Sequence, residues 1–388
     1  MEVDYSKVLD KVKFWKSVVE SAKNFTGTSP PSIFVGKAFY PKVYVGILAP
    51  PMHNEQAENL DFPELWYRQR ASINQILNFR GQMIYSRFKT SSIKIPTGKL
   101  VDVIQELVMS KRPADVEIEL KNNPKFRFFF SDWVQPIGNP AQIVQARLAE
   151  NPIVERKVEY IVSDSDLKAQ EAVTELYRYG LSVSRIEKIF SAGLLGSSFQ
   201  RKFVPTRWSI TAVDNIISKK LMEKVKTFQE LGEIRLFHNE YLGNHYEILL
   251  LPGNYNYELL EIWDVNKPYP SIDSDYEPYW GRKTYASSTH GAFYSGRLAV
   301  LEYLEKIQRQ ATILIVREVR EEYFAPVGIW QLRETVRGAF NKNYETFSTA
   351  EKALRVISER LVTGAKWKNK SKLLKIKKEQ KSLMAFYT

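Results

Sequence analysis

The sequence predicts an α+β protein with largely antiparallel sheets, packed helices and a disordered basic C-terminal tail. Three observations carry this. Several segments space apolar residues at helical intervals. Others alternate apolar and polar residues, or run apolar for a few positions, between Gly/Asn turns. The end of the chain is Lys-rich with no core-forming period.

Taken in order, Val8, Val12, Trp15 and Val19 mark an amphipathic helix over 5–23, broken by "TGTSPPS". "SIFVG" and "KVYVGIL" are two short strands flanking "KAFYP". A helix over 63–80 opens with Pro63 and Glu64 in its first turn. "DVEIEL" and "KFRFFF" are strands, and "SDSDLKAQEAVTELYRYG" is a helix with a Ser or Asp cap and Gly180 as its stop. Residues 205–230 form a long helix entered through "PTRWS". "EIRLFHNEYLGNHYEILLLPGNYNYELLEIWDV" predicts three antiparallel strands joined by Gly/Asn turns. Residues 266–289, polar and rich in Pro and Tyr, are a long loop of the kind that carries function. Then "SGRLAVLEYLEKIQ" is helical, "ATILIVREV" and "YFAPVGIW" are strands, and "STAEKALRVISERL" is a capped helix. The expected organisation is a body over 1–363, with room for two intertwined subdomains, and a flexible tail over 364–388.

The 388 residues carry a net charge of +12, a bias that favours a polyanionic partner. Residues 366–381 hold eight Lys and one Glu, so +7 sits in the tail and +5 in all the rest. The absence of Cys excludes disulfides, thiol nucleophiles and Cys-ligated zinc. The first residues are too charged for a secretory signal. No apolar run is long enough to span a bilayer, so a cytoplasmic protein with no membrane partner is expected.

Four stretches together resemble the archaeal Nre (NreA-type) DNA repair family: "SPPSIFVGKAFYPKVYVGIL" (29–48), "FVPTRWSITAVDNIISKKL" (203–221), "HGAFYSGRLAVLEYL" (290–304) and "FAPVGIWQLRETVRGAF" (324–340). The resemblance implies a role in the response to DNA damage and a C-terminal motif that docks on the sliding clamp, the archaeal PCNA ring. Here that motif is Gln380-x-x-Leu383-x-x-Phe386-Tyr387. Many members carry a four-Cys zinc motif near the N-terminus, which this chain lacks.

The motif makes physical sense at a chain end. One helical turn puts Leu383, Phe386 and Tyr387 on one face. So short an apolar knob cannot stabilise itself, but it can fill a preformed pocket, with Gln380 bonding at the rim and the Lys run as a tether. The bland alternative is that it folds back on this chain's own body.

The body offers weaker chemistry. His238 and His245 flank "NEYLGN" with Glu240 near, either a metal pair across a hairpin or two ordinary strand histidines. "PTRWS" places Arg207 at a helix start, a phosphate cradle or a cap packed by Trp208, with Asp214 two turns on. "HGAF" sets His290 near Tyr294 and Arg297. Cations and rings interleave in "GKAFYPKVY" (Lys37, Phe39, Tyr40, Lys42, Tyr44) and "YWGRKTY" (Tyr279, Trp280, Arg282, Lys283, Tyr285), as single-strand binding needs. Two readings stand. The first is a clamp-recruited repair factor whose body binds DNA or a nucleotide-like group. The second is an enzyme on nucleic acid or a nucleotide derivative, with Asp214, Glu240, His238 or His290 as acid–base or metal groups and Arg207 and Arg297 on phosphate. No metal or other cofactor is assigned.

Overall fold

Two six-stranded sheets organise the described residues of this computed structural model, which are 10, 12–90, 92–94 and 96–384, with backbone alone for 380–384. The described residues divide into an N-terminal unit, those up to Ile217 with Ala325–Gly328, and a C-terminal unit, Ser218–Phe324 and those from Ile329 on. The fold is mixed α and β with largely antiparallel sheets and packed helices, as the sequence predicts.

The strands of the N-terminal unit are β1 (Asn24–Ser29), β2 (Ile33–Val35), β3 (Tyr44–Ala49), β4 (Ile84–Lys89), β5 (Ala114–Leu120), β6 (Phe128–Phe129), β7 (Ile137–Gly138) and β8 (Pro140–Leu148). The main sheet runs β1-β5-β8-β4-β3-β2, antiparallel except between β4 and β8, and β6 and β7 form a separate ribbon. Its helices are α1 (Lys16–Ser21), α2 (Pro63–Arg68), α3 (Ile73–Gly81), α4 (Lys99–Met109), α5 (Arg156–Ser163), α6 (Ala169–Tyr179), α7 (Val183–Ser191) and α8 (Thr206–Val225), the last crossing the unit boundary.

Local chemistry explains where these elements start and stop. The expected helix over 63–80 is two helices, because Arg70 turns left-handed (φ 55) and Ser72 restarts the chain. The Ser72 hydroxyl accepts from the Gln75 N–H at 3.3 Å while the Gln75 amide oxygen accepts from the Ser72 N–H at 2.8 Å, a capping box. α6 stops at Gly180 (φ 94), as expected. Its N-cap is Lys168 rather than Ser or Asp; Asp164 instead accepts the amides of Asp166 and Leu167 in the turn before it. Val12 and Val19 are buried, the face the N-terminal periodicity predicts.

In the C-terminal unit the strands are β9 (Ile234–Tyr241), β10 (Asn244–Leu251), β11 (Asn256–Trp263), β12 (Ser271–Glu277), β13 (Thr312–Val319) and β14 (Glu345–Phe347), in the order β12-β11-β13-β10-β9-β14. β9 and β10 form a two-residue hairpin through Leu242 (φ 52) and Gly243 (φ 70), both left-handed as a primed turn requires. The expected meander of three neighbouring strands is corrected at the next step: β13 lies between β10 and β11, parallel to β11. β10 and β13 are buried at every position, and strands covered on both faces take central places. The parallel pair needs a crossover, which β12 and α9 (Gly291–Ile307) supply.

Three further expectations are revised. The long loop over 266–289 contains the polar edge strand β12. "YFAPVGIW" is buried coil, not strand: Pro326 lacks an N–H and Gly328 is left-handed (φ 102), so the run leads into α10 (Trp330–Ala339) instead. After α11 (Ala350–Arg360), capped by Thr349 as expected, packed chain continues past 363. A 3₁₀ helix over Lys366–Lys370 seats Trp367, 0% exposed, among Leu260, Ile262, Val316 and Ile357, and α12 (Lys372–Met384) buries Leu373. Their apolar positions are thinly spread among lysines, which hid the pattern.

Candidate nucleic-acid interface

In the N-terminal unit, the loop between β2 and β3, the end of β4 and the start of α8 combine into one surface. Lys37, Phe39, Tyr40 and Lys42 are all exposed on the loop, Phe39 at 67%. Phe39 is held left-handed (φ 66), a conformation costly for a bulky residue, with its carbonyl accepting the Lys42 N–H at 2.9 Å. From β4, the Lys89 ammonium lies 5.0 Å from the Phe39 ring and the Arg87 guanidinium 4.2 Å from the Tyr44 ring. Tyr40 packs against the exposed Trp208 ring at 5.0 Å, and the Arg207 guanidinium sits 3.5 Å from the Trp133 ring.

The two sequence candidates "GKAFYPKVY" and "PTRWS" are thus brought together. The Thr206 hydroxyl accepts the Val35 N–H at 3.0 Å, which ties the end of β2 to the start of α8. Stretches 36–44, 84–90 and 205–209 contain Lys37, Lys42, Arg87, Lys89 and Arg207, and no Asp or Glu. Arg87, Lys89 and the outward use of Trp208 escaped the sequence reading, although "SRFKT" interleaves cations and a ring as plainly as the neighbouring stretch does.

A buried ionic cluster supports this surface. Asp61 accepts from the Ser32 hydroxyl just ahead of β2 and pairs with Arg80 from α3 at 2.8 Å and Lys188 from α7 at 3.0 Å. Burial alone would raise the Asp61 pKa, but the Lys188 and Arg80 charges outweigh it and hold the carboxyl at about 2. The cavity beside it, lined by Phe34, Asp61, Lys188 and Thr206, holds about 20 Å³, room for water rather than a ligand.

The C-terminal unit uses several candidate residues internally. Arg297, 1% exposed, pairs with Glu277 at 2.8 Å and bonds the Ser218 hydroxyl at 2.9 Å, so a phosphate-binding role for it is corrected. Arg282 pairs with Asp275 at 3.0 Å and donates to the carbonyls of Tyr276 and Tyr285 at 2.9 and 3.1 Å, bracing the 278–285 loop from inside. On that loop Trp280 is 87% exposed, with Lys283 also exposed. His290 is half-buried with φ 51 at the N-cap of α9, its ring 6.0 Å from Tyr285.

The two hairpin histidines do not face each other across the turn. Asp214 is fully buried within α8, in the N-terminal unit. His238 is exposed on β9, opposite Glu247 in register. Glu240 faces His245 instead, at 2.5 Å, and also pairs with Arg320 at 2.7 Å. The other His245 nitrogen meets the buried Glu247 at 2.8 Å. Burial lowers the His245 pKa, but the Glu247 and Glu240 carboxylates outweigh it and raise it. Burial would raise that of Glu240, which His245 and Arg320 lower instead. This is an ion-pair network; among the described residues no group of three or more His, Asp or Glu is arranged to hold a metal ion. Of the clamp-motif residues, Gln380 and Leu383 fall within the backbone of α12, while Phe386 and Tyr387 lie outside the described residues. No helix among the described residues is long and apolar enough to cross a membrane.

Comparison with known proteins places this geometry in context. Residues 2–269 match the family described as Archaeal Nre, N-terminal, and residues 277–386 the one described as Archaeal Nre, C-terminal. The chain is 36% identical over 367 residues to DNA repair protein NreA of Archaeoglobus fulgidus, covering 93% of this chain and 91% of that protein. It is 35% identical over 374 residues to DNA repair protein NreB of the same organism, covering 95% and 93%. Against DNA repair protein NreA of Haloferax volcanii it is 36% identical over 358 residues, covering 89% and 85%. No solved structure matches.

The Asp61 cluster yields a stability test. Asp61→Asn leaves two buried cations without their carboxylate, a loss of about 3–5 kcal/mol in the N-terminal unit. In the wild type the folded pKa of about 2 lies below the ordinary 3.8. The group's contribution, about 2 kcal/mol, is therefore complete above pH ~4 and lost as pH falls through the folded value. Urea unfolding across this range checks both. A variant as stable as wild type, with the same acid profile, contradicts the cluster's role.

Proposed function

The chain belongs to the archaeal Nre family, and we propose that it is a DNA repair protein that holds single-stranded DNA on its N-terminal unit and is recruited by the sliding clamp, PCNA, through Gln380, Leu383, Phe386 and Tyr387. The observation that carries the DNA reading is the surface of Lys37, Lys42, Arg87, Lys89 and Arg207 around the exposed rings of Phe39, Tyr40 and Trp208, in stretches free of carboxylates. Five cations track a phosphate backbone, and rings open to solvent stack on unpaired bases. A duplex would leave those rings uncovered, because its bases are already stacked. The names of the relatives, all DNA repair proteins, agree with this role. The clamp reading rests on the motif's spacing in the sequence, which pairs an amide with a three-pronged apolar knob.

Two binding measurements test the two halves. Tyr40→Ala with Trp208→Ala removes rings worth roughly 1–3 kcal/mol per stacked base. Affinity for an oligo-dT strand is expected to fall at least ~10-fold. Lys37→Ala with Lys42→Ala is expected to flatten the salt dependence by about 1.4, at roughly 0.7 per phosphate contact. Unchanged affinity and slope in both variants would remove this surface from the DNA reading.

For the clamp, burial of Leu383 and Phe386 contributes roughly 1.5–3 kcal/mol each. Leu383→Ala with Phe386→Ala is expected to weaken binding at least ~100-fold in a calorimetric titration, with the melting of the body unchanged. Undiminished binding by the variant, or none by the wild type, contradicts the recruitment reading.

A further inference from the structure

The Lys-rich segment expected to be a loose tether is folded onto the C-terminal unit through at least Leu373. Its anchor is Glu258 on β11, 0% exposed. One oxygen accepts the Lys372 N–H at 2.7 Å and the Ser274 hydroxyl at 2.7 Å. The other accepts the Ser371 hydroxyl at 2.5 Å and the Leu373 N–H at 3.1 Å. A carboxylate is thus placed at the start of α12, where free amides and the helix dipole favour negative charge. The Ser371 oxygen in turn accepts the Leu374 N–H at 3.1 Å, completing the cap. Trp367 and Leu373 are buried beneath, with Leu374 and Ile376 half-buried.

This docking sorts the segment's side chains. Trp367, Leu373, Leu374 and Ile376 face the unit, while Lys366, Lys370, Lys372, Lys375 and Lys378 are exposed, the last three at one-turn intervals along α12. Near them, Glu379 is the one carboxylate within 366–381. We infer that this ordered lysine face is a binding surface for the phosphate backbone of duplex DNA, held in its working geometry by Glu258. The face has cations and no exposed ring of its own, so it can grip backbone but cannot stack bases. That is the complement of the surface on the N-terminal unit. Glu258 is a positioning residue here, acting on DNA only through the helix it caps. The inference shares with the proposed function the premise that DNA is the ligand, yet it concerns different residues and a different form of DNA.

The full chain is titrated with a 20-base-pair duplex and, separately, with oligo-dT, by fluorescence anisotropy over a range of salt. Lys372→Ala, Lys375→Ala and Lys378→Ala together are expected to lower duplex affinity about tenfold or more and to reduce the salt slope by about 2.7, at roughly 0.9 per phosphate. Oligo-dT binding should change less. Glu258→Gln is the sharper test. It keeps every lysine and removes a negative charge, so charge counting alone predicts tighter duplex binding. An ordered face predicts weaker duplex binding, together with faster amide exchange at Leu373 and Leu374. Should that change lower the melting temperature of the C-terminal unit, Ser371→Ala removes one of the capping hydroxyls at constant charge: charge counting predicts unchanged duplex binding, and an ordered face predicts weaker binding. The inference is overturned if the triple lysine variant binds duplex as wild type does. It is equally overturned if the capping variants leave exchange unchanged, or free the helix without weakening duplex binding. Loss of oligo-dT binding in the Tyr40 and Trp208 variant with duplex binding intact separates the two surfaces.

Discussion

A carboxylate taken out of water must be met by donors, and that constraint shapes this protein more than any single apolar contact. In the C-terminal unit the donors are repeatedly backbone amides from turns and helix starts outside the acid's own strand. Glu258 takes the amides that open α12. Glu318, fully buried on β13, takes the Val362 and Thr363 amides at 3.1 and 3.0 Å and the Thr363 hydroxyl at 2.9 Å. Asp275 takes the Ser288 and Thr289 amides at 2.9 and 2.7 Å. Burying each acid and ordering each segment are therefore one event. In the N-terminal unit Asp61 does the same with side chains, joining the chain before β2 to α3 and α7.

The functional consequence is that polar, Pro- and Lys-rich chain can present side chains in fixed places without a core of its own. Arg282 closes the 278–285 loop on three backbone carbonyls, so Trp280 projects from a braced turn rather than a wandering one. Lys372, Lys375 and Lys378 project from a capped helix. On the N-terminal unit a different device holds the loop that carries Phe39 and Tyr40: a threonine hydroxyl bonded to β2 and a Tyr40–Trp208 ring contact. Pre-organisation of this kind lowers the ordering cost that a binding surface otherwise meets when its partner arrives.

Much of this was legible in the sequence. The β9–β10 hairpin, α6 with its glycine stop, and α11 with its threonine cap follow from turn and cap chemistry alone. What escaped had physical reasons. β12, "SIDSDYE", is a polar edge strand whose place is set by β11 and by the acids it buries, not by apolar alternation. "YFAPVGIW" is apolar because it is buried, yet Pro326 and Gly328 deny it a ladder. Sequence order could not show β13 inserting between β10 and β11, since that is a matter of which strands are covered on both faces. At the candidate sites, residue type was legible and exposure was not. Lys37 and Lys42 are open to solvent, whereas Arg282 and Arg297, equally cationic in the sequence, are committed to Asp275 and Glu277 inside the unit.

Amide exchange of the full chain, measured with and without saturating oligo-dT, tests most directly whether the N-terminal unit carries the single strand. Binding to the surface around Phe39, Tyr40 and Trp208 predicts slowed exchange over residues 36–44 and 206–209, with 278–285 unchanged. Slowed exchange over 278–285 with none over 36–44 would contradict it, and would assign the strand to the loop that bears Trp280.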